Sequence, residues 1–324
     1  MPRGDLIFNP SAGRFPSGLL AERAAGVLRE YGWEIDIFQT LNGPHITRLA
    51  RQAAEQGKDA LFVVGGDGSV SLAVRGLYGS TTALGVLPGG TSNVFAQELG
   101  LRGLTWTRIR ALERSAGCLA RGTIREVDLG LAGNLPFLLW SGIGLDAYLT
   151  HKIEPRKRWE KDFSVATYFA SSVWNAQFYQ GLNLKVKADG QVVQGHYLVA
   201  IMGNISLYAG GLARLSPYAL LDDGIFEMWL LEGNTVGDAI QRFLDVVAGR
   251  HMESPYAYCV PFHNLELESD KPLYVQLDAE PIDYDRRSIQ ISVVPKALRL
   301  IIPEHYPRRL FTSDPEENDE GRRE

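Results

Sequence analysis

Apolar residues follow two rhythms along this chain, and the rhythm changes near residue 130. Before that point, short apolar runs alternate with stretches whose apolar positions recur every three to four residues. That is the pattern of strands alternating with amphipathic helices. "DLIFN" (5–9) is a run stopped by Pro10, and "WEIDIFQT" (33–40), "ALFVV" (60–64), "ALGVL" (83–87) and "TIREVDLG" (123–130) read as further strands. Between them, Leu20, Ala24, Val27, Leu28 and Tyr31 share one stripe of a helix opened by Ser17 and stopped by Gly32. Residues 45–56 read as a second helix, with others near 69–78, 92–99 and 105–120. Repeated strand–helix–strand units predict a parallel sheet with helices on its faces. Beyond Gly130 the runs shorten and alternate, as in "LKVKADGQVV", "HYLVAIMGN", "GIFEMWLLEG", "LELESDKPLYVQLD" and "SIQISVVP". Asp189-Gly190 is a two-residue hairpin signal. Helices at 163–180 and 235–249 interrupt this antiparallel pattern.

The expected fold class is therefore α/β plus all-β. A parallel-sheet α/β nucleotide domain covers residues 1–130, and an antiparallel β-sandwich domain covers 131–296. The run at 297–311 is expected to pack back on the first domain. Residues 312–324 are expected to form a disordered acidic tail, since 314–324 carry six acids and two arginines with little to bury.

Composition narrows the class. Hydrophobic content of 45% and charged content of 22% suit a globular protein. Two cysteines make no disulfide framework, which fits a reducing compartment. No secretory leader pattern, uninterrupted spanning segment or zinc-binding spacing is visible, so a cytoplasmic protein is expected. A net charge of −5 disfavours general affinity for nucleic acid.

Three glycine-bearing loops fall at predicted strand ends, where open α/β sheets collect ligands: "NPSAG" (9–13), "GGDGS" (65–69) and "PGGTSN" (88–93). None is a Walker A or GxGxxG sequence. Glycines let backbone N–H groups approach phosphate oxygens, and helix starts add positive dipoles. With no lysine clamp, compensation of phosphate charge falls to a metal, and Asp67 is a hard ligand suited to Mg²⁺.

The first two of these loops, with four longer segments of which one contains the third loop, resemble the soluble lipid kinases related to diacylglycerol kinase. That family includes sphingosine and ceramide kinases and shares its fold with NAD kinase and 6-phosphofructokinase. The segments are "LGVLPGGTSNVFAQELGL", "SGIGLDAYLT" (141–150), "GNISLYAGGLARLSPYALLDDGIF" (203–226) and "VQLDAEPI" (275–282). The resemblance implies ATP contacts at Asn9, Pro10, Ser11, Ala12, Gly13, Thr40, Gly65, Gly66, Asp67, Gly68, Ser69, Val70, Ser71, Leu72, Gly90, Thr91 and Asn93. It implies a structural metal at Asp223 with the main-chain oxygens of Leu220 and Ile225. It also implies a base at Glu280 or Asp278; on an alternating strand the two acids would share one face and raise one another's pKa. Three departures from the family pattern are Ala279 for a glycine, Val94 for an acid and Arg14 for a lysine.

The expected activity is ATP- and Mg²⁺-dependent phosphorylation of a lipid hydroxyl, diacylglycerol being the first choice. The alternatives are a soluble-metabolite kinase of the NAD kinase type and a non-catalytic lipid-binding protein retaining the fold. The aromatic helix "FSVATYFASSVWNAQFYQ" (163–180) is the candidate lipid lining, set against plain core packing. "KIEPRKRWEK" (152–161), with five cations and two acids, is the candidate for reversible peripheral contact with the inner membrane face. An exposed edge in the β-rich domain would suit homodimer pairing.

Overall fold

The computed structural model describes residues 1–10, 17–153, 179–307 and 309–314. The expectations placed on Ser11, Ala12, Gly13 and Arg14, on 154–178 and on the tail beyond 314 lie outside the described residues.

The chain opens as predicted, with strands β1 (Arg3–Phe8), β2 (Glu34–Gln39), β3 (Ala60–Gly65) and β4 (Ala83–Pro88) separated by helices α1 (Ser17–Glu30), α2 (Gly43–Glu55) and α3 (Asp67–Leu77). All four strands are parallel, in the order β4-β3-β1-β2. Every residue of β3 and β4 is buried, which is why these strands read as unbroken apolar runs. Helix α1 buries Leu20, Ala21, Ala24, Ala25 and Leu28 on one stripe. Helix α2 starts on Asn42, whose side chain accepts from the His45 N–H. Two helices follow β4: α4 (Val94–Glu98), a single turn, and α5 (Ala111–Ala120). Both are shorter than the sequence pattern suggested.

The second half is antiparallel: β5 (Thr123–Ala132), β6 (Leu135–Phe137), β7 (Trp140–Gly144), helix α6 (Leu145–Ile153), β8 (Leu182–Ala188), β9 (Gln191–Gly203), β10 (Leu207–Tyr208), β11 (Ala213–Arg214) and β12 (Phe226–Glu232). Helix α7 (Val236–Val247) precedes β13 (Ala257–Phe262), β14 (Asn264–Ser269), β15 (Val275–Leu277), β16 (Glu280–Ile282) and β17 (Ser288–Ile302). Two layers face each other across a core built on Phe137, Phe226, Phe262, Val275 and Ile291. Among the described residues β13 pairs with β12 alone and forms an edge of the sheet.

The two halves share a spine. The expected boundaries at 130 and 296 fall inside β5 and β17, which pair with each other along both segments. Their register shifts between Val294 and Leu298, where Lys296 takes a left-handed φ of 54°. Buried Asp128 spans the kink, accepting from the N–H groups of Lys296 at 2.7 Å and Gly224 at 2.6 Å. Beyond it, Leu300 pairs with Leu84 of β4, and Leu310 and Phe311 join the first core. Among the described residues no helix is long and apolar enough to cross a membrane.

Candidate active site

Parallel register brings the ends of the first strands together: Phe8 pairs with Gln39 and Val64, and Gly65 with Pro88. Asn9, Thr40, Gly66 and Gly89 therefore leave one edge of the sheet side by side. Asn9 donates its N–H to Val64, and Thr40 donates its N–H to Phe8. Gly66 caps α3 without a side-chain hydrogen bond, so the helix start presents backbone to the edge. Ser69, Val70 and Ser71 are turned into the interior, leaving main chain as what this turn can offer a ligand.

The glycines answer a sterically tighter question than phosphate approach alone. A Cβ on Gly90 would stand 2.4 Å from the Gly66 Cα and 2.8 Å from its nitrogen. The loops after β3 and β4 thus touch backbone to backbone. Asn93, with φ 52°, closes the second loop by accepting from the Gly90 N–H and donating to the Gly90 carbonyl, both at 2.8 Å. Asp67 ties the loops again, its carboxylate accepting from the N–H groups of Val94 at 2.9 Å and Phe95 at 3.0 Å. Burial pushes the Asp67 carboxyl above the usual carboxylate range, against those two hydrogen bonds. Val94 is buried.

Asp278 and Glu280 do not share a strand face, contrary to the reading from alternation. β15 and β16 form a hairpin in which Leu277 pairs with Glu280, so Asp278 and Ala279 are its two turn residues. Their φ values of 52° and 65° make a turn of the I′ type. Asp278 is buried, and its carboxylate accepts from the N–H groups of Leu138 at 3.1 Å, Leu139 at 2.8 Å and Trp140 at 3.1 Å. Its own N–H donates to the Trp140 carbonyl at 2.8 Å. The cause of its raised pKa is burial, not a neighbouring Glu280. Glu280 is exposed, and its Oε1 lies 2.7 Å from the point a Cβ on Gly68 would occupy. A carboxylate from the β-rich half therefore stands on the first turn of α3.

Ala279 replaces a glycine where the backbone is left-handed, a strain of about 1–2 kcal/mol for an L-residue. Ala279→Gly is expected to raise stability by about 0.5–1 kcal/mol once glycine's extra unfolded-state entropy is deducted, measured by denaturant midpoint.

Behind the hairpin lies a network that sequence reasoning missed. Buried Gln276 accepts from the Ala279 N–H at 2.7 Å and donates to Asp146 at 2.8 Å. The other Asp146 oxygen accepts from the Tyr208 hydroxyl at 2.7 Å. Burial pushes the Asp146 carboxyl up. A Cβ on Gly142 would meet Asp146 Oδ2 at 2.0 Å, which explains the glycine in "SGIGLDAYLT". Glu98, also buried, accepts from the Ser206 hydroxyl at 2.9 Å and N–H at 3.2 Å, tying α4 to the second half.

Beside the kink of the spine, Asp223 accepts from the Ile225 N–H at 3.0 Å in a turn completed by Gly224, φ 76°. Burial, then the charges of Asp128 and Asp222, hold its carboxyl above the usual range. Relief of that repulsion by a cation suits the site, although among the described residues no three His, Cys, Asp or Glu side chains converge as a ligand cage. One carboxylate with the main-chain oxygens of Leu220 and Ile225 would be a hard donor set.

Residues 4–132 match the model of the diacylglycerol kinase catalytic domain, and 141–302 match the YegS C-terminal NAD kinase beta sandwich-like domain. A protein of Chromohalobacter salexigens named "Probable lipid kinase YegS-like" is 31% identical over 92% of this chain and 93% of its own. A diacylglycerol kinase of Bacillus subtilis is 23% identical over 86% of this chain and 90% of its own. In fold, the crystal structure of a diacylglycerol kinase from Bacillus anthracis superposes with a TM-score of 0.73 at 23% identity, covering 93% of this chain and 97% of that one. Two matched domains over nearly the whole length, with a 31% identical relative, leave one conclusion: the chain belongs to the diacylglycerol kinase and YegS-like family of lipid kinases.

Proposed function

We propose that this lipid kinase transfers the γ-phosphoryl group of ATP to the hydroxyl of a diacylglycerol-like lipid, with Glu280 as general base. The observation that carries the reading is the Glu280 carboxylate over Gly68, at the start of the helix that follows the second glycine loop. A nucleotide whose phosphates lie along Gly65 to Leu72 and Gly90 to Asn93 would bring its terminal phosphate to that carboxylate. As the acceptor oxygen bonds to phosphorus and the bridging oxygen leaves with ADP, the hydroxyl proton passes to Glu280. Asp67 joins the two loops and retains lone pairs for a Mg²⁺ ion accompanying the nucleotide, which would supply charge neutralisation. A second cation at Asp223, Leu220 and Ile225 would brace the turn against the β5/β17 spine.

Incubation of the protein with labelled ATP, Mg²⁺ and a lipid extract is expected to yield labelled phospholipid. Label in NADP instead would favour a soluble-metabolite kinase, and tight lipid binding without turnover would favour a non-catalytic protein. Gly90→Ala tests the nucleotide loops directly. Its Cβ must displace the Gly66 backbone, so ATP affinity measured by calorimetry is expected to fall about tenfold or more.

A further inference from the structure

We propose that the loop at 101–110 is a bilayer anchor, in which Trp106 and Ile109 enter the headgroup region of an anionic membrane while Arg102, Arg108 and Arg110 bind its lipid phosphates. The inference rests on the lipid-kinase reading and names the surface by which that site meets its substrate.

Trp106 is 81% exposed and Ile109 55% exposed, on a loop where Leu101 is buried and Leu104 packs against the first core. Large apolar side chains singly exposed are common, but an indole held out beside an exposed isoleucine is the arrangement that interfacial aromatic residues adopt. The loop is built to hold them there. The Arg108 N–H donates to the Thr105 carbonyl at 2.9 Å, and the Ala111 N–H to the Arg108 carbonyl at 3.2 Å. These are two successive turns, and Trp106 and Ile109 occupy the second position of each.

Charge supplies the choice of partner. Residues 99–112 hold three arginines and no acid, in a protein of net charge −5. All three arginines are exposed. The flanking acids are engaged elsewhere: Glu98 is buried against Ser206, and Glu113 pairs with Arg23. An apolar tip flanked in sequence by three arginines and no acid fits an anionic leaflet, where insertion and attraction act together. The loop also sits beside the chemistry, since a Cβ on Gly103 would lie 3.1 Å from Asn93 Nδ2 in the loop after β4.

Co-sedimentation of the full-length protein with phosphatidylcholine vesicles, and with vesicles rich in phosphatidylglycerol, tests the anchor without nucleotide. The wild type is expected to bind the anionic vesicles preferentially. Replacing Arg102, Arg108 and Arg110 together by Gln is expected to lower that partitioning about a hundredfold. Trp106→Ala is expected to lower it about tenfold, and Trp106→Phe to retain most of it. Brominated acyl chains are expected to quench wild-type fluorescence and to lose the Trp106 share of that quenching in Trp106→Phe. Phosphorylation of a detergent-dispersed short-chain acceptor is expected to be unchanged in all three variants. Variants that sediment like the wild type, as they would if the loop served a protein partner, overturn the proposal. So does a wild type indifferent to anionic vesicles. Vesicle binding that follows this pattern while no form phosphorylates any lipid leaves the anchor standing and removes the catalytic reading.

Discussion

Glu280→Gln is expected to lower the rate of phosphoryl transfer by about 10²–10⁴-fold, the range for losing a positioned general base. Stability is expected to stay within about 0.5 kcal/mol, because the side chain is exposed at the end of a short hairpin. The amide keeps the volume over Gly68 and loses the negative charge and the ability to take a proton. ATP binding should therefore survive, which calorimetry checks on the same sample. Glu280→Asp withdraws the carboxylate by one methylene and is expected to fall between the wild type and the amide, since proton transfer depends on reach before pKa. Full activity in Glu280→Gln would place the base elsewhere and remove the central element of the proposed mechanism.

Much of this site was legible in advance for a topological reason. A parallel sheet gathers the ends of its strands at one edge, so the residues that follow β1, β3 and β4 had to leave it side by side. Which glycines mattered, and why, was not legible. Gly66 and Gly90 are 24 positions apart in sequence, and only their contact shows that the Gly66 backbone excludes a Cβ from position 90. The hairpin at Asp278 was hidden by its own composition. "VQLDAEPI" alternates like one strand, and the alanine at position 279 removes the glycine that would have marked a turn with positive φ. Asp146 and Gln276 were invisible for a different reason. Each reads as an ordinary polar residue, and only the fold, which brings β7, α6 and β15 together, makes them a chain ending at the Ala279 N–H. Helix α4 was over-extended because Asn93 turns left-handed and delays its start to Val94, while Leu99 is buried just outside its end.

The corrected hairpin separates two acids that sequence reasoning left as alternatives, and Asp278 shows the difference. Asp278→Ala is expected to cost about 4 kcal/mol, since three backbone N–H groups at Leu138, Leu139 and Trp140 lose their acceptor in a buried place, at about 1–3 kcal/mol for each group left unsatisfied. The turn would move with them, taking Glu280 off Gly68, so activity and stability should fall together. Asp278→Asn discriminates between architecture and chemistry. Asparagine tolerates the left-handed φ and keeps one acceptor oxygen, but it turns an amide donor toward one of the N–H groups and cannot accept a proton. If Asp278 holds the turn, this variant loses about 1–2 kcal/mol in urea unfolding and keeps most of its turnover per folded molecule. If Asp278 were the base, turnover would vanish in a protein that still folds, and Glu280→Gln would be the variant that keeps working. Opposite outcomes in one pair of variants follow from the 140-residue separation that lets Asp278 bond the start of β7 while its neighbour two positions on reaches the first turn of α3.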